Sequence, residues 1–476
     1  ESWWRGADVQ FNYTNIRPRG TPLKTKGGTA SGPEPLKQLL DYTRKMILNH
    51  QGRNLSSLNM HDLACFCGSI VQVGGVRRAA EISISDPSDE KMRHAKEGQF
   101  WLKAPERAMA NNTAVYDTKP SMETFFHEWE SLMHSGSGER GIFNRGGYNH
   151  VQKPARREAH LNYGLNPCGE IILRPQQFCN LSIAVARRDD TTETLRQKVK
   201  LATIFGMLQS LLTKFNYIRK DWKINCDEER LLGVDITGQC DNALLTSQNT
   251  RGILYNKLRL TATETAQAFA ELHDLNMPTA LTCVKPSGNS SQLLDCASGI
   301  HPRFAEFYLR RIRLSADNPV AQLLIAKGVP HAAENGQPAD HPTIWVFEFP
   351  VRSPDGALLR AGTTAISQLE HWRDCKTYYT EHNPSCTIYV REDEWMEVGA
   401  WVYKHSTDVG GISFLPYDGG VYNQPPYEEL TESEFIMRLF HMPIIDNFSE
   451  ELCAYEQTDH TEMSREFQCT GDRCDL

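Results

Sequence analysis

Short apolar runs alternate with amphipathic helical patterns along this chain, and this alternation constrains its fold more than any other sequence feature. Apolar runs at 344–349, 387–390 and 412–415 predict strands, with helical patterns between them. Strands interleaved with helices over so long a span favour a mainly parallel sheet or barrel covered by helices, because parallel strands need long crossover connections. We therefore expect an α/β fold.

Size and charge narrow the class of protein. The length of 476 residues exceeds one ordinary domain unless that domain is a large α/β barrel. An apolar content of 40% and a charged content of 23% are typical of a soluble globular protein with a core. No run of 18 apolar residues occurs, so no membrane-spanning helix is expected. A net charge of -8 without a Lys/Arg block makes nucleic acid and anionic membranes unexpected partners.

The cysteines indicate the redox environment. The chain has 13 of them, an odd number, and its start lacks the basic-then-apolar pattern of a secretory signal. Both facts argue against a disulfide scaffold and favour reduced thiols, some of them chemically active. We expect a cytoplasmic protein.

The stretch Asn166-Pro167-Cys168-Gly169-Glu170 carries the most chemistry, with a second thiol at Cys179. Pro167 disfavours helix before the first cysteine, and Gly169 allows the backbone to turn after it. The apolar run 171–173 predicts a strand leaving this turn. On an extended segment alternate residues share a face, so Asn166, Cys168 and Glu170 could all point at one small ligand. A lone cysteine is more often a buried core residue, but the flanking amide and carboxylate favour an active site.

Two loops are candidate ligand cradles. A strand at 281–284 is followed by the hydroxyl-rich turn Lys285-Pro286-Ser287-Gly288-Asn289-Ser290-Ser291 and a helix, an arrangement that can bind an anion or simply cap the helix. The Gly-Lys-Ser/Thr ending of a P-loop is missing. Near the start of the chain, a turn with Gly27, Gly28, Thr29 and Ser31 could approach a ligand closely or merely connect two elements.

Other segments are interpreted as scaffold. His61, Asp62, Cys65 and Cys67 match no zinc spacing, so the helical core interpretation is favoured over a metal site, and we predict none. The segment 105–118, with its Asn-Asn-Thr sequence, is predicted to be irregular. An acidic helix start at 189–193 leads into a long amphipathic helix whose apolar face runs from Leu195 to Leu212.

The last 21 residues differ in character from the rest. From Glu456 onward the sequence is polar with few apolar anchors, and we predict a mobile tail, 456–476, after a catalytic domain at 1–455. The tail ends in Cys469-Thr470-Gly471-Asp472-Arg473-Cys474, where two thiols flank a glycine turn. Such a pair on a flexible arm can form a disulfide and reach a distant site. A redox shuttle is favoured over an accidental pair.

Together these stretches resemble the adenosylcobalamin-dependent (class II) ribonucleotide reductases. The similar segments cover nearly the whole chain: 16–33, 74–78, 137–145, 166–170 with 178–181, 285–292, 381–385, 412–418 and the terminal cysteines. The resemblance implies a ten-stranded ribonucleotide-reductase/glycyl-radical-type α/β barrel, incomplete at its N-terminal side, with a flexible C-terminal tail. It also implies an enzyme that reduces ribonucleotides to 2′-deoxyribonucleotides with adenosylcobalamin as cofactor.

Residue roles follow from the same resemblance. Cys168 would become a thiyl radical after homolysis of the cobalt–carbon bond and take the ribose 3′-hydrogen. Glu170 would accept the 3′-hydroxyl proton, and Asn166 would hydrogen-bond the ribose. Cys179 would be one of the two thiols that reduce C2′. Cys469 and Cys474 would re-reduce the resulting disulfide and be recharged by a thioredoxin-like partner, while residues 286–291 would hold the substrate phosphates.

The chain also departs from the family pattern. The thiol that pairs with Cys179 normally lies on an early barrel strand, upstream of the segments present here. The resemblance therefore implies an N-terminal reductase fragment or subunit as a further partner. Asn289 stands where the family usually has Thr. Tyr378 and Tyr379 are similar to the paired tyrosines of the iron-dependent class, but their neighbours follow the cobalamin-dependent pattern, so we interpret them as packing residues.

Three hypotheses result. The first is the catalytic segment of a cobalamin-dependent reductase. The second is the same fold acting as the large subunit of a class I-type reductase with a separate radical-generating subunit. The third is a non-catalytic nucleotide-binding remnant. Retention of Asn166, Cys168, Glu170 and Cys179 favours the first.

Overall fold

The computed structural model describes residues 1–23, 30–73, 76–77, 79–150, 156–160, 162–288, 290–316, 318–335, 338–342, 344–417, 424–456, 469–470 and 473–474. Within these residues the helices are α1 Glu34–Asn49, α2 Ser57–Ser69, α3 Glu90–Arg93, α4 Met122–Ser135, α5 Arg145–His150, α6 Thr192–Gln209, α7 Lys220–Glu229, α8 Ala243–Thr246, α9 Arg251–Leu272, α10 Ser290–Leu293, α11 Pro319–Ala326, α12 Ala365–Tyr378, α13 Trp395–Lys404, α14 Glu432–Phe440 and α15 Phe448–Cys453.

The strands are short and spread over the whole chain. They are β1 Gln72–Val73, β2 Val76–Arg77, β3 Glu81–Ser85, β4 Ala110–Tyr116, β5 Gly141–Asn144, β6 Gly164–Leu165, β7 Ile172–Leu173, β8 Asn180–Val185, β9 Leu232–Thr237, β10 Phe307–Ser315, β11 His331–Ala333, β12 Ile344–Arg352, β13 Thr387–Val390, β14 Gly411–Pro416, β15 Tyr427–Glu429, β16 Cys469–Thr470 and β17 Arg473–Cys474. The predicted mixed α/β architecture is thereby confirmed.

Two groups of parallel strands form the framework that positions the site. One sheet has the order β13-β14-β5-β4-β3, in which β3, β4 and β5 run parallel, as do β13 and β14, while β14 and β5 are antiparallel. Strands β8 and β9 form a parallel pair. Isolated parallel β-bridges extend this arrangement: Val234 of β9 pairs with Thr282, and Val284 pairs with Pro384, just before β13. Strands β3 and β8 lie at the two ends of this order, and no closed barrel forms within the described part of the chain.

Helices cover these strands and enclose the main core. Helix α9 packs against α6 on one side and α12 on the other, and its Tyr255, Leu258 and Ala262 are fully buried. Each large apolar side chain buried in this way stabilises the fold by roughly 1.5–3 kcal/mol. The predicted helix after residue 191 is confirmed, since Thr191 caps α6 by accepting a hydrogen bond from the Thr194 amide.

Some sequence-based expectations were wrong. Residues 105–118 are not irregular: they hold a 3-10 helix and then β4, an interior strand between β3 and β5. Turn-forming residues are tolerated there because the Asn112 side chain finds a tertiary partner in His61. The predicted strand at 344–349 is present in β12 but joins a separate antiparallel sheet of order β11-β12-β10-β15. On α6, Leu201 is 57% exposed, so the face of the helix that is buried is narrower than the apolar face predicted from the sequence.

Two further expectations concern the membrane and the tail. Across the described ranges, no helix is long and apolar enough to span a bilayer. Of the predicted tail 456–476, the structure describes Glu456 and the backbone of β16 and β17, which pair antiparallel with Cys469 opposite Cys474. The predicted mobility of this tail falls on residues outside the described ranges.

Candidate active site

Cys168 lies at the tip of a short hairpin formed by β6 and β7. These strands pair antiparallel, with Leu165 opposite Ile172. Between them the Gly169 amide donates to the Asn166 carbonyl over 2.8 Å, which closes a four-residue turn. Gly169 has φ +80°, a conformation that side-chain-bearing residues rarely adopt. The turn and the following strand predicted from the sequence are therefore confirmed.

Side chains from distant parts of the chain hold this turn. Asn383 donates from Nδ2 to the Gly169 carbonyl over 2.9 Å, and its backbone N–H donates to the Glu170 carbonyl over 3.1 Å. Ser385 donates its hydroxyl to the Cys168 carbonyl. Asn111 of β4 donates from Nδ2 to the Pro167 carbonyl over 2.7 Å. Four successive carbonyls of the turn are thus fixed, so the position of the Cys168 backbone is set by tertiary contacts.

The Cys168 side chain is exposed and lines a cavity of about 300 Å³. Partial desolvation and the negative charge of Glu170 raise the pKa of this thiol, against the positive charge of Lys285. The sulfur therefore keeps its hydrogen at neutral pH. A protonated thiol suits hydrogen-atom transfer better than nucleophilic attack, which needs the thiolate.

Glu170 is fully buried beside this turn. In the described structure neither of its carboxylate oxygens accepts a hydrogen bond. Burial raises the pKa of this carboxyl, while the Asn166 side chain and the charge of Lys285 oppose the rise. Asn166 uses its Oδ1 to accept the Ile171 amide hydrogen over 2.9 Å, and its side chain lies close enough to the Glu170 carboxyl to lower the pKa of that group.

The alternation argument for Asn166, Cys168 and Glu170 does not apply to this stretch. That argument required an extended segment, whereas residues 166–169 form a turn. Cys168 lines the cavity, and Asn166 and Glu170 do not. Glu170 still lies close enough to both Cys168 and Cys179 for its charge to raise the pKa of each thiol.

Cys179 lies immediately before β8 and is half-buried. Burial is the main cause of its raised pKa. A further thiol, Cys283, is fully buried in the segment between the two bridges, and the charges of Asp235, Glu170 and Cys179 add to the burial that raises its pKa. The structure therefore gathers Cys168, Glu170, Cys179 and Cys283 in one region.

The hydroxyl-rich turn is present where the sequence predicts it. The amide of Ser291, in the short helix α10, donates to the Ser287 carbonyl over 2.9 Å. The Ser287 hydroxyl is 2.7 Å from that of Thr237, and the fully buried Ser291 hydroxyl has no partner among the described residues. Pro286 lines the Cys168 cavity, and a Cβ at Gly288 would meet open space. Asn289 lies outside the described residues.

Several predicted residues take no part in this cavity. Gly27, Gly28 and Thr29 lie outside the described residues, while Ser31 is half-buried and does not line the cavity. The backbone of the terminal hairpin places the positions of Cys469 and Cys474 opposite each other.

The helix with His61 holds no metal cluster. His61 lies 3.2 Å from Asp62, which in turn accepts two hydrogen bonds from Arg107 at 2.7 and 2.8 Å. Cys65 is buried in the core and Cys67 is exposed. In the part of the chain that the structure describes, no group of three His, Cys, Asp or Glu side chains could hold a metal ion.

One buried acid near the site was missed by sequence reasoning. Asp235 of β9 is fully buried and accepts the Lys285 amide hydrogen at Oδ1 over 2.9 Å, while its Oδ2 has no partner among the residues that the structure describes. Burial raises the pKa of this carboxyl to about 8, and the charge of Glu170 adds to the rise. The signal was an acidic residue within the apolar run Leu231-Leu232-Gly233-Val234-Asp235-Ile236.

Comparison with known proteins identifies relatives of nearly the whole chain, although no family model matches it. The adenosylcobalamin-dependent ribonucleoside-triphosphate reductase of Lacticaseibacillus paracasei is 26% identical over 509 residues, covering 98% of this chain and 65% of that protein. The enzyme of the same name from Euglena gracilis is 26% identical over 482 residues, covering 98% and 63%. The resemblance to cobalamin-dependent reductases is confirmed. The chain spans slightly less than two thirds of the length of these relatives.

Solved structures agree on the fold. A B12-dependent (class II) ribonucleotide reductase matches with a TM-score of 0.74 and 21% identity, covering 94% of this chain and 65% of that one. The class Id ribonucleotide reductase alpha subunit of Actinobacillus ureae matches with a TM-score of 0.50 and 14% identity, covering 80% and 81%. The reductase resemblance therefore extends from short motifs to the three-dimensional arrangement of the strands.

Proposed function

We propose that this chain is the catalytic part of an enzyme that reduces ribonucleotides to 2′-deoxyribonucleotides through a thiyl radical on Cys168. The observation that carries the proposal is the braced turn: a protonated thiol at a cavity wall, with a buried carboxyl of raised pKa beside it. Similarity to named reductases over 98% of the chain supports the same function.

The cofactor that we propose is adenosylcobalamin. The cavity beside Cys168 has an apolar lining, including Ile142 and Phe414. Its polar lining includes the Ser137 hydroxyl, which has no partner within the described ranges. This mixture suits the nucleoside part of such a cofactor. When bound, the cofactor supplies the radical that removes the hydrogen atom of the Cys168 thiol.

The remaining chemistry falls to side chains of the turn. Cys168 takes the 3′-hydrogen of the ribose and returns it after C2′ has been reduced. Glu170 accepts the 3′-hydroxyl proton as general base and later gives it back, a role helped by its raised pKa. Asn166 orients the ribose with its NH₂ group. The hydroxyl-rich turn at 286–291 holds the phosphates, with the unpartnered Ser291 hydroxyl as one donor.

Two thiols supply the reducing electrons. Cys179 and a partner thiol each lose a hydrogen and join in a disulfide, while the 2′-hydroxyl leaves as water and a hydrogen takes its place. We propose that Cys469 and Cys474 then reduce this disulfide by exchange and are recharged by a thioredoxin-like protein. The backbone pairing of β16 with β17 supports cooperation between these two cysteines.

We further propose that the strands belong to a ten-stranded barrel. The order β3-β4-β5-β14-β13, continued through the bridged segment 282–284 to β9 and β8, accounts for seven strands and one further extended segment. An N-terminal reductase segment, as part of a longer chain or as a separate subunit, would supply the other two between β3 and β8. Exposed apolar residues on α6, which packs against β8, support such a contact, namely Leu201, Phe205, Leu208 and, just beyond the helix, Leu212.

Domain limits and location complete the proposal. The catalytic domain would comprise 1–455 and the redox-active tail 456–476. A cytoplasmic location is supported by the free state of the eleven cysteines that the structure describes.

The test is deoxynucleotide formation from ribonucleoside triphosphates, with adenosylcobalamin, a small dithiol and the N-terminal segment supplied in the same or a second polypeptide. The Cys168→Ser variant should give no product. The Cys67→Ser variant, which removes another exposed thiol that does not line the Cys168 cavity, should keep full activity. No product from the unaltered protein would refute the proposal.

A second candidate is the large subunit of a reductase that takes its radical from a separate subunit, favoured only by the weaker fold similarity to the class Id alpha subunit. Electron paramagnetic resonance of the protein mixed with adenosylcobalamin separates the two. A thiyl signal that depends on the cofactor and on Cys168 supports the first, and product formed only with an added radical-generating subunit supports the second.

A further inference from the structure

The segment 174–178, which leads from the Cys168 hairpin to Cys179, is held by a buried ion pair. Arg157 donates from Nε and Nη2 to the two carboxylate oxygens of Glu229, over 3.0 and 2.7 Å. Both side chains are almost fully buried. Burial alone would raise the pKa of Glu229, but hydrogen bonds and the charge of Arg157 hold it below its usual value, so the pair is charged at neutral pH. Two parallel hydrogen bonds of this kind fix the orientation of the guanidinium plane.

The same guanidinium contacts both ends of this segment. Arg157 donates from Nη1 to the carbonyl of Ile172, in the strand that leaves the hairpin, over 2.8 Å. From Nη2 it donates to Oε1 of Gln177, two positions before Cys179, over 3.2 Å. Gln177 donates in turn from Nε2 to Glu229 Oε2 over 2.6 Å. The ion pair therefore joins β7 to the backbone just before Cys179.

The backbone of this segment depends on tertiary contacts. Gln176 has φ +53°, in the left-handed region that residues other than glycine rarely adopt. Asn225 donates from Nδ2 to the Pro175 and Gln176 carbonyls over 3.0 and 3.2 Å. The Phe178 amide donates to Cys226 Sγ over 3.3 Å. All these partners belong to α7, the helix that ends at the acidic member of the ion pair, so helix, ion pair and segment form one unit.

We propose that Arg157 and Gln177 are positioning residues for the Cys179 thiol, an inference that rests on the proposed function. In that function Cys168 acts at C3′ and Cys179 supplies reducing power at C2′, so the two sulfur atoms must reach adjacent carbons of one ribose. Neither Arg157 nor Gln177 lines the Cys168 cavity, so both act through the place that they give to Cys179. A misplacement of about 1 Å can slow a reaction about a hundredfold.

Three variants test this role. Gln177→Met keeps the side-chain volume but removes the amide that joins the ion pair to the segment, and it leaves both hydrogen bonds between Arg157 and Glu229 in place. Arg157→Lys keeps the charge beside Glu229 but loses the fork of donors that reaches both ends of the segment. Tyr148→Phe is the matched control, because it removes a hydroxyl 3.3 Å from the same guanidinium that belongs to α5 and not to the segment before Cys179.

The first measurement needs no activity. The rate at which iodoacetamide alkylates Cys179 is followed by mass spectrometry, with the exposed thiol of Cys67 as internal reference. Cys179 is half-buried, so loosening of the segment before it should expose the thiol more often. Its rate should rise about tenfold in Gln177→Met and in Arg157→Lys, the effect of losing one hydrogen bond to a charged group. In Tyr148→Phe the rate should not change.

The second measurement compares the cofactor-dependent thiyl signal of Cys168 with deoxynucleotide formation, in the complete assay given above. Gln177→Met should keep the signal of the unaltered protein while product formation falls about a hundredfold. General destabilisation would lower both, so the split is specific to a misplaced Cys179.

Three results would each overturn the inference: full product formation by Gln177→Met, an equal loss of signal and product, or unchanged alkylation of Cys179. If the unaltered protein gives neither signal nor product, the proposed function fails instead, and the alkylation rates still decide whether Arg157 and Gln177 position Cys179.

Discussion

Replacing Asp235 by Asn should make the protein more stable at neutral pH and remove part of its pH dependence. The carboxyl is fully buried on β9, with Oδ1 bound to the Lys285 amide and Oδ2 without a partner among the described residues. Asparagine has nearly the same shape, and its Oδ1 can accept the same hydrogen bond. The substitution therefore changes the titration of the site and little else.

The magnitude follows from the raised pKa. Burial moves the pKa of Asp235 from its usual 3.8 to about 8, so between these pH values the folded state holds one proton more than the unfolded state. Stability must then fall as pH rises, by about 1.4 kcal/mol per pH unit. This contribution is fully present below pH 4 and lost by about pH 8. From pH 5 to pH 7 the loss amounts to about 2.7 kcal/mol, a large part of a typical folding free energy.

Urea unfolding followed by tryptophan fluorescence at unit steps from pH 5 to pH 9 measures this effect. The difference in unfolding free energy between Asp235→Asn and the unaltered protein should grow steadily to pH 8 and then level off, since all other titrating groups are shared. Asp189→Asn, at an exposed position just after β8, is the control and should give a constant difference. A flat difference for Asp235→Asn would refute the reasoning.

Two further predictions test the hairpin and the cavity wall. Asn383→Ala removes side-chain hydrogen bonds to Gly169 and to Gly411. The rate of amide hydrogen exchange in peptides covering 164–173 should rise about a hundredfold, as expected for the loss of roughly 3 kcal/mol of local stability. An unchanged exchange rate would show that the turn does not depend on these hydrogen bonds. Gly138→Ala should lower the unfolding free energy by about 2–4 kcal/mol, because it combines a positive φ with a backbone clash. Gly169→Ala has a similar φ, but its Cβ would make only an ordinary 3.8 Å contact with Ser385 Oγ, so it should lower the unfolding free energy by only about 1 kcal/mol. Equal losses in urea midpoint for the two variants would contradict this comparison.

The sequence alone was sufficient to predict structural features that depend only on residues close together in the chain. Pro167 and Gly169 define the turn around Cys168 because both act through the backbone angles of their own positions. The α6 start at Thr191 is likewise local, since the capping hydroxyl and the amide it binds are three residues apart. Reductase motifs could be recognised for the same reason: each is a contiguous stretch of side chains.

Tertiary structure decided what surrounds that turn. Asn383 and Ser385 reach the Cys168 hairpin from more than 200 positions away, and no local pattern in one sequence specifies such a pairing. The strand at 110–116 was missed for a related reason: Asn112 is typical of a turn, and only the folded chain brings His61 within hydrogen-bond distance of its side-chain oxygen. The pKa of Asp235 depends on burial, and the polar lining at Ser137 depends on the approach of two chain segments. Both are properties of assembled strands, which only the folded chain contains.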